Sequence, residues 1–549
     1  MNPTRPDEPA IRKVESEVLD KQHASLRLIR RRTDLAIGHL LKAFGDSTRD
    51  LQHDRDPNKF RATRYKVNAM VYGLGHCLRW LLAEPIRSIL QADDSWQTLG
   101  VEAAEFLRWG IQYGQLANDH TAWSHGLIDA SFDGQAKRIV FYTPKAAESR
   151  YFVRQVEAQQ TSVDARVHER PDRVLREDCM VWCKEMSTSP HGLRTPSRPR
   201  PSDVMDSVLE WFSATVLPAI PPSMDLGGFT LEQFRRVVAH LYVISLYQSW
   251  CEDAVDQVQG LTNQLGSQPW SMPKRRFIVW LSESTAVSPG ATDVITRLLT
   301  FDPAEIHSRI TCQPLIVTVD GTVLLSPRIV SLLDIERGLI GAMNRTGRKR
   351  IYDDLINTIE RHHRRELLSD FRRVSNWATI DERDFKTGIE KVSPDFVAWE
   401  SHTDRFLIAD YKHALEPLGP VEVKSKMSEL SKWIAKLKKY IAFFRRHPKL
   451  LTSAFPERRL DTNATEIDGM ILTRWPLPLP VGEDESVAIA DRGAFASLAR
   501  SRPNLSFQDL LSWASTRPDV PCPLATRLIE QHISVEEWTY VRQTLTTNR

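Results

Sequence analysis

A mixed β-sheet flanked by helices, set near residues 346–480 and appended to a mostly α-helical N-terminal half, is the fold class this 549-residue sequence predicts. Three observations carry it. Apolar side chains recur at three- and four-residue steps through 11–45 and 60–92, as the buried face of a helix requires. Residues 346–475 read helix, strand, strand, strand, helix, strand. Phe406-Leu407-Ile408-Ala409 is an unbroken apolar run, as a central strand covered on both faces demands, and it leads straight into Asp410-Tyr411-Lys412.

Bulk composition sets the class. The length calls for about three to four domains. Hydrophobic residues make up 41% and charged residues 26%, ordinary values for a globular chain. The net charge is only +3, so any surface for a polyanion must be local. No apolar run reaches the length of a membrane span, and the charged first 21 residues hold no secretory signal, so a cytoplasmic protein without a membrane partner is expected. Six cysteines make no disulfide framework. Cys179 and Cys183 lack a second ligand pair at zinc spacing and read as buried helix cysteines. P-loop, His-Glu-x-x-His and Gly-x-Ser-x-Gly motifs are absent from the sequence.

In chain order, the helices of 11–45 and 60–92 are followed by a third at 99–117. A hairpin is expected near 127–143, turned by Asp133-Gly134. Helices follow at 145–160 and 172–186. Residues 187–203 form a Pro/Arg-rich linker, because prolines without apolar periodicity cannot pack regularly. Thr230-Leu231-Glu232-Gln233 is a capping box that opens a helix to about 252. A strand is expected at 276–282, a hairpin around Asp320-Gly321 within 314–325, and a helix at 327–343. The α/β stretch then has a helix at 347–372, strands at 377–386, 391–399 and 405–413, a helix from Pro420 to His447, and a strand at 467–475. Ser534 and Glu537 suggest a capping box, so 481–549 is expected to be helical. The resulting division is 1–186 mostly helical, 187–203 linker, 204–345 mixed helix and hairpin, 346–480 α/β, and 481–549 helical.

The chemistry lies in the α/β stretch. Side chains two apart on a strand share a face, so Asp410 and Lys412 point the same way. If Asp395, of Pro394-Asp395, ends the neighbouring strand, two carboxylates and an ammonium come to one spot. Hard oxygen donors of this kind hold Mg²⁺ or Mn²⁺. Of four Pro-Asp dipeptides, only this one has an acid-x-Lys behind it at this distance. Asp384-Phe385-Lys386 comes in the wrong order, and Glu422-Val423-Lys424 reads as a helix start. From 421 to 450 there are seven Lys and two Arg against two Glu, a net of +7 that suits a polyanion.

This constellation and the α-β-β-β-α-β order resemble the PD-(D/E)XK nuclease superfamily, over roughly the 346–475 stretch. The resemblance implies a restriction-endonuclease-like core and a metal-dependent endonuclease hydrolysing DNA. Asp395, Asp410 and the Tyr411 carbonyl would hold Mg²⁺ or Mn²⁺. Lys412 would orient the attacking water or stabilise the transition state. The products implied are a 5′-phosphate and a 3′-hydroxyl. Another acid is expected from the first helix. Glu366 is favoured because it lies seven residues beyond Ile359, with Glu360, Asp353 and Asp354 as alternatives. His362 and His363 read as surface residues. Lys432, Lys436 and Lys439 would hold the nucleic-acid backbone. One branch of the superfamily carries Gln-x-x-x-Tyr on this helix; here the positions are Lys436 and Tyr440, which keeps the Tyr and replaces the Gln. A helical N-terminal half on such a core resembles bacterial anti-phage defence and mobile-element proteins, which implies DNA, a homo-oligomer or a defence-system partner. The rival expectations are an RNA-directed nuclease and a nucleic-acid-binding or assembly protein that keeps the fold without turnover. Arg30-Arg31-Arg32 faces either nucleic acid or solvent.

Overall fold

A computed structural model of the chain describes residues 7–52, 57–83, 95–142, 177, 179–181, 204–259, 269–305, 308–345, 347–415, 417, 419–456, 466–475, 477, 487–516 and 526–547. The 187–203 linker, the helix expected at 145–160, most of 172–186 and Cys183 lie outside the described residues.

The N-terminal region contains α1 (Glu8–Val14), α2 (Thr33–Gln52), α3 (Pro57–Ala83) and α4 (Trp96–Ser124). The hairpin of β1 (Asp129–Asp133) and β2 (Arg138–Tyr142) follows. Helices α3 and α4 cross at backbone contact: a Cβ on Gly110 would meet Gly73 O at 2.6 Å and would clash with Cys77 Sγ. The arginine cluster is partly accounted for. Arg31 is buried and grips Glu102 of α4 through Nε at 2.8 Å and Nη2 at 2.6 Å, and Arg32 pairs with Asp34 at 2.7 Å.

The middle region holds α5 (Met205–Thr215), α6 (Leu231–Gln259), β3 (Trp270–Pro273), α7 (Lys274–Thr285) and α8 (Pro289–Leu298). It continues through β4 (Leu315–Val317), β5 (Thr322–Leu325), α9 (Pro327–Val330) and α10 (Ile335–Arg345). The expected capping box closes: the Thr230 N–H donates to Gln233 Oε1 at 2.8 Å, and the Gln233 N–H donates back to Thr230 Oγ1 at 3.3 Å. The strand expected at 276–282 is instead helix α7. Its buried residues Phe277, Leu281 and Thr285 fall four apart, a helical period, while the strand lies just before it at 270–273.

The α/β unit begins with α11 (Lys349–Arg372) and β6 (Trp377–Asp381). A short hairpin of β7 (Phe385–Lys386) and β8 (Lys391–Val392) leads to β9 (Phe396–Glu400) and β10 (Arg405–Lys412). Then come α12 (Pro420–Arg446), α13 (Pro448–Ala454), β11 (Ile467–Thr473), β12 (Val487–Asp491), α14 (Arg492–Ser501) and α15 (Phe507–Thr516). The sheet order is β12-β11-β10-β9-β6. Strands β10, β11 and β12 are parallel, and β9 is antiparallel to both its neighbours. Leu437, Ile441 and Phe444 of α12 pack on the Phe406 and Ile408 face. Leu367 and Phe371 of α11, with Phe495 of α14, cover the Leu407 and Ala409 face. The chain is thus a mixture of helical regions and mixed sheets.

The last residues depart from the helical expectation for 481–549. After β12, α14 and α15, the chain forms β13 (Thr526–Val535) and β14 (Trp538–Thr547). Strand β14 pairs parallel to β2, so the C-terminal hairpin completes a sheet in the N-terminal region. Ser534 and Glu537 flank a turn at Glu536, whose φ is +52°, and do not cap a helix. Burial alternates through Ile533 and Val535, a period of two.

Candidate active site

Strand β9 stops pairing with β10 at Phe396↔Ala409, but β10 runs on against β11 through Lys412↔Thr473. Beyond Ala409, the main-chain N–H groups on the β9 side of β10 therefore need other acceptors. Carboxylates supply them. Asp395 Oδ2 accepts the Tyr411 N–H at 2.8 Å, and Glu360 Oε1, from α11, accepts the His413 N–H at 3.1 Å. Asp395 is itself held, its N–H donating to Asp410 Oδ1 at 3.2 Å. Each aspartate thus has one oxygen fixed by a backbone amide.

Both carboxylates also face cations. Lys412 Nζ lies 3.1 Å from Asp410 Oδ2 and 3.7 Å from Asp395 Oδ2, and it donates to the Tyr411 carbonyl at 3.1 Å. Lys436 Nζ, from α12, approaches Asp410 Oδ2 at 3.4 Å and stands 5.1 Å from the centre of the Tyr440 ring. Arg364, from α11, donates to Asp395 Oδ1 at 2.9 Å and pairs with Glu382 at 3.1 Å. Asp410 is 1% exposed, so these partners meet its buried carboxyl oxygens in place of water. Burial first, and the Asp410 charge second, raise the Asp395 pKa above the ordinary value, against the pull of Lys412 and Arg364. For Lys436 burial works downward, but the Tyr440 hydrogen bond and Asp410 outweigh it and raise the pKa.

Asp395, Asp410, Lys412 and the Tyr411 carbonyl therefore meet as the sequence suggests. Glu366 does not join them: it is exposed and pairs with Arg492 at 2.6 Å and His362 at 3.5 Å. The physical reason is a change of partner along α11. Leu355 and Ile359 pack into the middle region's core, whereas Leu367 and Phe371 pack on the sheet, so the two halves bury different faces. Glu360 is the helix acid that reaches the sheet, and Asp353 and Asp354 are exposed. Lys432 and Lys439 are exposed and lie four before and three after Lys436 on α12. Tyr440 is a core residue, 8% exposed, and meets the site through Lys436. Arg364 and Glu382 join the site without a motif to mark them; the Glu360/Arg364 spacing of four, which puts both on one face of α11, is their one signal in the sequence.

On the opposite face of β10, His363 Nδ1 and the Tyr411 hydroxyl are 2.7 Å apart, so His363 is not the surface residue expected. Burial, then nearby arginines, push the His363 pKa down to about 2. His413 is lowered to about 3, again mainly by burial. Neither ring nitrogen of His413 has a hydrogen-bond partner among the described residues, and Glu336 Oε1 stands 3.8 Å away. Arg474, at the end of β11, is paired with Glu336 of α10.

Among the described residues no three His, Cys, Asp or Glu side chains form a ready metal cage. The donors present are two aspartates and a carbonyl, all oxygen. Mg²⁺ commonly takes one or two carboxylates and keeps several waters, so this donor set fits such an ion. Comparison with protein-family models, curated proteins and solved structures finds no match.

Proposed function

We propose that this chain is a Mg²⁺- or Mn²⁺-dependent nuclease of the PD-(D/E)XK type that hydrolyses phosphodiester bonds in DNA. One observation carries the reading: Asp395, Asp410 and Lys412 converge where β10 outruns β9, beside a helix rich in lysine. Asp395, Asp410 and the Tyr411 carbonyl would hold the ion. When bound, the ion supplies a Lewis acid that lowers the pKa of water and offsets charge on the scissile phosphate. Lys412, fixed between both carboxylates, places a positive charge where charge builds during attack. Glu360 and Asp395 hold the end of β10 in place through its N–H groups. Lys432, Lys436 and Lys439 would bind the phosphate backbone without regard to sequence. By analogy of architecture, the helical N-terminal half would sense a signal or bind a partner in anti-phage defence or a mobile element.

A second reading, a nucleic-acid-binding protein without turnover, draws on one observation: the outward carboxylate oxygens already have ammonium and guanidinium partners. The test is incubation of the full chain with plasmid, linear duplex, single-stranded DNA and RNA, with Mg²⁺, Mn²⁺ or EDTA. Metal-dependent cleavage of DNA is the expected result. Cleavage of RNA alone would transfer the reading to an RNA nuclease, and salt-sensitive binding without cleavage would favour the second reading.

A further inference from the structure

Arg364 stands where an incoming metal ion would have to compete. Asp395 Oδ2 already accepts the Tyr411 N–H and has Lys412 Nζ 3.7 Å away, and Oδ1 is the oxygen that Arg364 holds at 2.9 Å. Both side chains are mostly buried, at 15% exposed each. A guanidinium beside a divalent cation in such a place is repelled strongly, because little water screens the two charges.

Arg364 also has a second carboxylate within reach. Glu382 Oε2 lies 3.1 Å from the same Nη1 and is 59% exposed. Glu382 is fixed close to the site, since its N–H donates to the Asp395 carbonyl at 3.0 Å. Arg364 therefore has an anchor that remains when Asp395 turns to other work. Asp395 without any cation would be a buried carboxylate facing Asp410, which is costly.

We propose that Arg364 is a positioning residue that acts as a stand-in cation. It holds Asp395 Oδ1 aimed before the metal arrives, and it passes to Glu382 when the ion binds. The strength of the Arg364–Asp395 contact then sets divalent-ion affinity, and Glu382 tunes it in the opposite direction. This rests on the reading that Asp395 and Asp410 take a divalent cation.

The test is Mn²⁺ binding to the full chain without nucleic acid, followed by electron paramagnetic resonance of the free ion. Wild type, Asp395→Asn, Arg364→Gln and Glu382→Gln are compared, and circular dichroism melts confirm folding. Arg364→Gln is expected to tighten Mn²⁺ by about tenfold, the size of one contact to a charged group. Glu382→Gln, an exposed change that leaves the fold intact, is expected to weaken it. Unchanged affinity in Glu382→Gln, or weaker binding in a folded Arg364→Gln, would overturn the proposal while wild-type binding lost in Asp395→Asn upheld the metal site. Wild type with no Mn²⁺ binding would overturn the metal reading, and the proposal with it.

Discussion

The Tyr411 backbone N–H donates to Asp395 Oδ2 at 2.8 Å, so the carboxylate at the start of one strand caps the open edge of the next. A side chain that ends strand pairing and a side chain that offers oxygens to a metal are here the same group. Its two roles separate by substitution. Asp395→Ala leaves the Tyr411 N–H without its acceptor and Arg364 without its nearer carboxylate, at a cost of about 1–3 kcal/mol. Asp395→Asn keeps an acceptor oxygen. Because burial and Asp410 raise the Asp395 pKa, the stability tied to its protonation is full below the ordinary carboxylate pKa and is lost as pH rises through the raised value. Asp395→Asn is therefore expected to melt above wild type at pH 7, with the gap narrowing toward pH 4. Thermal melts across that range check this.

The buried histidines give acid lability. His413 is held to about 3, far below its ordinary value, so the folded chain refuses a proton that the unfolded chain takes. The stability involved is present above the unfolded pKa, about 6.5, and is lost as pH falls from there toward the folded value. His413→Phe removes ring nitrogens that have no hydrogen-bond partner among the described residues. It is expected to flatten the loss of stability below pH 6.5 by up to about 1.4 kcal/mol per pH unit. Urea unfolding at several pH values measures the slope.

Lys432 and Lys439 are exposed on α12, whereas Lys436 meets the Asp410 carboxylate. Each substitution to Ala is expected to weaken DNA binding about equally across sequences. Each should also lower the slope of log affinity against log salt by about one. Binding isotherms at four salt concentrations check it, and an unchanged slope in both variants would remove α12 from the interface.

Glu422 ties the same helix to the rest of the chain. It receives Arg309 at 2.6 Å and Arg337 at 3.1 Å, and Arg309 also donates to the Tyr72 hydroxyl at 2.6 Å. One carboxylate in the first turn of α12 thus joins elements of the N-terminal and middle regions. Glu422→Ala is expected to cost about 1–3 kcal/mol, because two part-buried guanidinium groups lose a partner. Hydrogen exchange should rise in the first turns of α12 more than elsewhere.

What was legible in the sequence was what depends on neighbours in the chain. Asp410 and Lys412 share a face because strands alternate, and the Asp320-Gly321 and Asp133-Gly134 turns sit where hairpins need them. What was not legible depends on distant partners. Strand β14 pairs with β2 through Thr539↔Arg138, and nothing near Ser534 reports a partner so far back in the chain. Glu366 follows Ile359 by seven residues, yet α11 serves two cores along its length, and only the structure shows where it changes from one to the other. Arg364 and Glu382 became visible only once Asp395 was placed between them.

The most direct measurement is plasmid cleavage with Mn²⁺ by wild type, Asp410→Asn and Lys412→Met, with product ends read by ligation and circular dichroism confirming folding. The expected result is cleavage by wild type that needs the metal and leaves 5′-phosphates, with both folded variants slower by at least about 100-fold. Cleavage that survives in both variants, or a wild-type chain that cuts no nucleic acid with either metal, would contradict a nuclease centre at Asp395, Asp410 and Lys412.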